Sequence, residues 1–310
     1  MSLLGEYKRR IRLNFVIQPQ HRVGVAVACA LSGGLCFAIT EGLVKTATQR
    51  GYPTIEILFI RSVFGFACIT TLMLFVGIDT AIRTRYPVQQ FMRTIVSAGA
   101  IYCFYKAVGL MPLADVTAIS FAAPILAAAL ATFVIKESTP PLRWLALLIG
   151  FAGVLVIAQP GQEMLQEGSA LIALTGAVLA AFSMLMIRHL GMMEDASTNI
   201  FYLGLFMMLQ SGAAFAMSGS GIHIQTSDDL LLLAATGGIG ALAAILSTLS
   251  YRFAAISIVV PFDYTAILYA GLIGFIFFHE VPTLITAAGA ALIIAGGLFV
   301  VFQEARSRPE

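Results

Sequence analysis

The chain has 310 residues, of which 59% are hydrophobic and only 11% charged. Soluble domains carry about 25% charged residues, and a water-facing helix needs a polar stripe that this chain has too few polar residues to supply. A formal net charge of +2 points to no nucleic-acid partner.

The first 22 residues are polar and basic, with Lys8, Arg9, Arg10 and Arg12, and carry no cleavable signal. They read as a solvated cytoplasmic tail. A helix crossing the bilayer core needs about 20 mostly apolar residues. Ten such segments follow: 23–44, 55–77, 91–110, 114–135, 142–158, 169–188, 198–217, 230–250, 255–278 and 282–302. Barrel strands would alternate polar and apolar residues, and runs such as Leu145 to Ala158 do not. The segments therefore predict helices, the other structure that satisfies its backbone in lipid. Pro53, Pro87, Pro141 and Pro282 stand near span starts, where a missing amide proton costs little.

Lys and Arg placement predicts the orientation. With the N-terminus in the cytoplasm, that side holds Lys8, Arg9, Arg10, Arg12, Arg22, Arg83, Arg85, Arg93, Lys136, Arg143, Arg188, Arg252, Arg306 and Arg308. The outer side holds Lys45, Arg50 and Lys106, and Arg61 lies within a span. Both termini are expected in the cytoplasm of a cell with an inner (plasma) membrane.

The sequence also reads as written twice. Lys45 and Arg188, Glu137 and Glu280, and Gly153 and Gly296 are each 143 residues apart. Tyr105-Lys106 resembles Tyr251-Arg252 at an offset of 146, which implies a short insertion around 109–115. Five spans per half is an odd number, so the second half enters the membrane upside down. The predicted fold class is an all-α integral membrane protein, ten transmembrane helices as two inverted five-helix repeats. The predicted parts are a basic tail (1–22), a first repeat (23–158), a second repeat (169–302) and a C-terminal tail (303–310). Inverted repeats allow alternating access to a site near the midplane.

Several motifs carry a family resemblance: Arg61 within the second span, the run from Ala107 to Glu137, Gly150-Phe-Ala-Gly-Val-Leu-Val-Ile, Pro261-Phe-Asp-Tyr, and Phe-His-Glu at 278–280. With this order of spans, the chain resembles the drug/metabolite transporter superfamily, specifically its EamA-type ten-helix members. The basic run at Arg83, Arg85 and Arg93, with Pro124, is similar to the S-adenosylmethionine or riboflavin carrier-like subgroup. The resemblance implies a central cavity between the halves and a secondary transporter for a small polar metabolite that is amino-acid-, nucleoside- or vitamin-like.

Charged residues inside spans are costly and usually face protein or water. Glu41, Arg61 and Lys106 are expected at one level near the outer ends of spans one to three, as a structural ion pair or a substrate-facing cluster. Asp263 follows Pro261 near the midplane and is the deepest acid, a candidate for a cationic group or a proton. Tyr264 adjoins it, and Gln210 lies at a similar level in span seven. Tyr102 and Tyr105 offer faces for a planar ring, as do Phe121, Tyr202 and Tyr269. The expected substrate-binding set is Arg61, Tyr102, Tyr105, Gln210, Asp263, Tyr264 and Glu41. Glu137, His279 and Glu280 read as helix-end residues. Cys29, Cys36, Cys68 and Cys103 read as small residues within spans.

No cofactor, metal site or catalytic set is expected, since no nucleophile elbow, zinc-protease pair or phosphate loop is present. A channel is the alternative, although a filter or pore-lining charge series is lacking; a membrane enzyme is a weaker one. The candidate partners are a small-molecule substrate, membrane lipid, protons as coupling ion and a second copy of the chain.

Overall fold

The computed structural model describes residues 23–76, 83–123, 125–127, 130, 141–158, 168–191, 193–194, 196–219, 221–224, 226–253, 262–263 and 265–307. Tyr264, Pro124, Lys136, Glu137, Pro261, the first 22 residues and residues 308–310 fall outside them, whereas 303–307, expected in the C-terminal tail, continue the last helix.

Among the described residues the regular structure is helical: α1 (Val23–Gln49), α2 (Thr54–Val76), α3 (Pro87–Val108), α4 (Leu113–Ser120), α5 (Pro141–Ala158), α6 (Ser169–Gly191), α7 (Ala196–Met217), α8 (Ser227–Phe253), α9 (Thr265–Phe278) and α10 (Leu284–Ser307). Five of these, α1, α2, α6, α7 and α8, hold stretches long and apolar enough to cross a membrane. Large side chains such as Leu74, Leu148, Leu231, Leu268 and Phe277 point outward. An apolar exterior over an all-helical bundle is what a lipid solvent selects, and the chain is an all-α membrane protein.

Helix ends follow local chemistry. α1 runs five residues past its expected end, where the hydroxyls of Thr46 and Thr48 turn back to the carbonyls of Gly42 and Val44 and so need no outside partner. It stops at Gly51, which takes the left-handed conformation (φ 89°) that closes a helix with little strain. α3 begins at Pro87, four residues earlier than expected, since proline at the first helical position sacrifices no bonded amide. Thr226 caps α8: its hydroxyl accepts from the Asp229 amide (3.2 Å) and donates to the Asp229 carboxylate (2.8 Å).

The described connections lie at two ends of the bundle. At one, the Lys45 end, Lys45 reaches Met111 and Glu280, Arg50 meets Asp229, and Tyr52 meets His223. At the other, the Glu194 end, Glu194 gathers Thr84, the Arg85 amide and Gln90. The apolar core runs between them through Val44, Ile57, Val116, Ala173, Leu233 and Ile293.

The main helix contacts cross from one half of the chain to the other: α1 with α8 and α9, α3 with α6 and α7, α2 with α7 and α8, α4 with α6 and α9, and α5 with α10. Exchanging the halves maps this set onto itself. The correspondence extends to residues. A methyl added at Gly33 would stand 3.3 Å from the Ser247 amide and 3.4 Å from Leu246; one added at Gly176 would stand 3.1 Å from Cys103 and 3.2 Å from Phe104. Both contacts are related by 143 residues. Thr40 likewise lies against Gly240, and Ser183 hydrogen-bonds Ser97 at 2.6 Å. At these contacts α3 and α8 are related by 143, not by the 146 of the two Tyr-basic pairs.

Candidate functional site

α3 is the most polar of the helices, and although Gln89 and Lys106 are exposed, much of its polarity is turned inward. Gln90, Arg93, Thr94 and Ser97 are buried, at the spacing that lines one helical face. Gln90 donates to Glu194 (2.7 Å) and Asn199, and Arg93 donates to the Asn199 carbonyl (2.9 Å). Arg93, counted from sequence among the cytoplasmic-side cations at the start of its span, thus ties α3 to α7. Burial pushes the Glu194 carboxyl up, but donors from Thr84, Gln90 and the backbone of Arg85 and Tyr86 outweigh it and hold the group below the usual glutamate range.

A second polar group lies deeper, where α1, α2, α3, α4 and α8 converge. Arg61 enters from α2, and its guanidinium carbon stands 5.3 Å from the Tyr105 ring centroid. Tyr105 is buried, so the stack sits in a weakly screened place, worth about 2 kcal/mol. Gly240 of α8 makes the room: a Cβ there would stand 3.3 Å from Arg61 Nη2 and 3.6 Å from Thr40. The Arg61 Nε is buried without a hydrogen-bond partner. Among the described residues Arg61 has no ion pair.

Glu41 sits next to Thr40 on α1, and its Oε2 lies 2.8 Å from the Thr117 hydroxyl of α4. That hydroxyl also lies 2.8 Å from the Leu113 carbonyl. A hydroxyl has one hydrogen; both contacts are fully satisfied when Glu41 brings a proton of its own. Tyr105 is within electrostatic reach of both Glu41 and Arg61. The sequence-expected trio of Glu41, Arg61 and Lys106 therefore forms differently: Lys106 is exposed, and Tyr105 takes its place.

The other expected residues spread out. Tyr102 is 41% exposed, on the same outer face of α3 as Lys106. Gln210 donates to the Phe91 carbonyl at 3.4 Å, and its Oε1 is buried without a partner; it packs on α3 apart from Arg61. Asp263 is half-buried and follows Phe262, which packs on Ala26 and Ala30. Gly34 faces Thr265 and Ala266, so Asp263 lies near the level of residue 32, roughly 13 Å along α1 from Glu41 at 1.5 Å per residue. Tyr202 joins a cluster with Phe201 and Phe206.

Residues missed from sequence lie at the Lys45 end. Lys45 pairs with Glu280 and donates to the Met111 carbonyl at 2.9 Å. Glu280 accepts from the Leu113 amide at 3.0 Å, and Asp115 accepts from Thr286 at 2.8 Å. A cavity of about 30 Å³, room for about one water, lies beside them against Asp115, Glu280 and Thr286. Glu56, wholly buried, accepts from the His223 amide (2.7 Å) and lies 2.8 Å from the His223 Nδ1. Among the described residues no cluster of side chains suits a metal.

Comparison with known proteins agrees with this architecture. Residues 24–159 match the EamA-like transporter family. A riboflavin transporter of Rhizobium johnstonii is 25% identical over 294 residues, covering 94% of this chain and 96% of that protein. A pseudopaline exporter of Pseudomonas aeruginosa is 27% identical, covering 86% and 93%. An S-adenosylmethionine uptake transporter of Rickettsia prowazekii is 22% identical, covering 81% and 84%. A solved crystal structure shares the fold, with a TM-score of 0.63 and 17% identity over 91% of this chain and 99% of that one. The chain is similar to EamA-type transporters, matching that family over residues 24–159, and is a multi-pass small-molecule transporter of the membrane.

Proposed function

We propose that this protein is a secondary transporter that moves a small polar organic metabolite by alternating access, with Arg61 holding an anionic or electron-rich group of the cargo. The observation that carries the reading is the guanidinium stacked on Tyr105 with an unpartnered, buried Nε. A charge inside a span costs about 2.5–3.5 kcal/mol on insertion scales, and shared helix packing does not require this one. The offset of 143 takes Glu41, Arg61 and Tyr105 to Met184, Gly204 and Thr248, so the polar group belongs to one half only. Guanidinium donors suit a carboxylate or phosphate, Tyr105 an adjoining planar group, and Glu41 an amine or a proton.

The half-exchanging contact set supports two inverted five-helix repeats, and hence two closable ends. Ten spans with cytoplasmic termini agree with the described connections and the Lys/Arg bias. Asp263 and Gln210 line the path rather than the Arg61 pocket in this reading, with Tyr264 beside Asp263, while Tyr102 stays on the outer face of α3. The relatives' names include riboflavin, pseudopaline and S-adenosylmethionine, an uptake carrier and an exporter among them, so direction and cargo are for measurement. The test is proteoliposome uptake across amino acids, flavins, S-adenosylmethionine and polyamines. A transported compound whose uptake survives Arg61→Ala, at equal reconstitution, refutes the assigned site; flux that never saturates favours a channel.

A further inference from the structure

A buried ion pair ties together the elements at the Lys45 end. Lys45 is only 6% exposed. Its ammonium meets Glu280 and the Met111 carbonyl and lies 5.5 Å from the Phe278 ring centroid. Glu280 also takes the Leu113 amide, so the pair joins α1 to the α3–α4 and α9–α10 turns. Gly274 leaves space for it: a Cβ there would stand 2.9 Å from Glu280 Oε2.

Lys45 has two further carboxyls nearby, and one of them, Asp115 of α4, is held by Thr286. Glu41 lies one turn back on α1, and side chains four apart on a helix have Cβ atoms about 6 Å from each other, with the acid on the N-terminal side favoured. Yet Glu41 engages Thr117 instead, in the arrangement that fits a protonated carboxyl. Tyr105 from α3 lies within electrostatic reach of Glu41 and of Arg61 from α2, while Asp115 from α4, held by Thr286 of α10, and Glu280 after α9 stand around Lys45.

We infer that Lys45 is a two-position switch, paired with Glu280 when this end is closed and with Glu41 when it is open, and that opening releases the Glu41 proton. The inference rests on the alternating-access reading. On opening, the Glu41 O–H bond breaks and its proton goes to water in the opened mouth. The carboxylate left behind takes the Lys45 ammonium, and Glu280 becomes hydrated. Closing reverses each step. The closed state holds the proton, so low pH favours closure and high pH favours opening. The offset of 143 carries Lys45 and Glu280 onto Arg188 and Glu137, so the sequence repeats the two charges in the other half; those side chains lie outside the described residues.

The test measures distance across this end in the full-length protein in liposomes. Spin labels go at the exposed positions Gln49 and Val281 in a chain whose four cysteines are replaced. Raising pH from about 5 to about 9, which spans the titration of a desolvated carboxyl, moves the wild type to a population longer by about 5 Å, one helical turn. Glu41→Gln stays short throughout, Lys45→Gln is long throughout, and Lys45→Arg behaves as wild type. The switch is overturned if the wild-type distribution ignores pH, if Glu41→Gln keeps the wild-type pH profile, or if Lys45→Gln stays closed. Labels at Val88 and Met193 report the Glu194 end. If the Lys45 end switches while that end never moves, the switch stands and alternating access fails.

Discussion

Gly237 is a backbone position on which the Arg61 pocket depends without supplying any of its chemistry. A Cβ there would stand 2.5 Å from the Arg61 carbonyl oxygen, 2.8 Å from Phe64 Cβ and 3.0 Å from the Gly65 amide. Two of these atoms are backbone, so no rotamer change relieves the clash, and α2 and α8 must part by roughly 0.5–1 Å to reach ordinary contact. Overpacking of this kind costs about 1–3 kcal/mol. Gly238 is the control: its nearest neighbour would be Cys68 Sγ at 3.9 Å, and alanine gains about 1 kcal/mol of helix propensity over glycine. Gly237→Ala should therefore lower the apparent Tm of the purified protein by several degrees and depress transport through the displaced Arg61. Gly238→Ala should leave both unchanged or slightly raised. Equal Tm and transport for the two variants would refute the close approach of α2 and α8.

Other consequences are as direct. Gln90→Leu strips donors from Glu194 and Asn199 and should cost about 1–3 kcal/mol in thermal or denaturant unfolding. Because the Glu194 pKa is depressed, its bracket contributes stability above the ordinary glutamate value of 4.5 and loses it as pH falls through the lowered native value. Hydrogen exchange at Arg85 and Tyr86 should accelerate across that acid window in the wild type, and Glu194→Gln should abolish the dependence. Tyr105→Phe keeps the ring under Arg61 and should retain transport, whereas Tyr105→Leu loses a contact worth about 0.5–2 kcal/mol and should raise KM in uptake assays.

Much of the helix plan is readable in the sequence, because apolar runs and prolines act locally: α6 and α7 start within two residues of their expected positions. Arg61 and Glu41 stand out because a charge in lipid is conspicuous wherever it points. Their partners do not. Tyr105 replaces Lys106 beside Arg61 since adjacent helical residues face directions about 100° apart, and only packing decides which turns inward. Glu280 reads locally as a helix-end residue; its pairing with Lys45, 235 positions away, arises from tertiary assembly. The polar stripe Gln90, Arg93, Thr94, Ser97 carries a usable signal in its spacing, hidden by the positive charge that makes Arg93 resemble a loop cation. Counting from loops puts Glu41 near an outer end and Asp263 near the midplane; α1 and α9 pack with Gly34 opposite Thr265, which sets the two acids more than two turns apart.

The most direct test of the transport account is counterflow in proteoliposomes. Vesicles loaded with a compound identified by uptake screening are diluted into the same compound as radiolabel, with wild type and Arg61→Ala reconstituted to equal amounts. An alternating-access carrier using Arg61 gives a saturable overshoot of label in the wild type. In Arg61→Ala the overshoot falls by about tenfold or more, the effect of about 1.4 kcal/mol lost from binding. Flux that rises linearly with concentration and shows no overshoot, or an overshoot unchanged in Arg61→Ala, would contradict it.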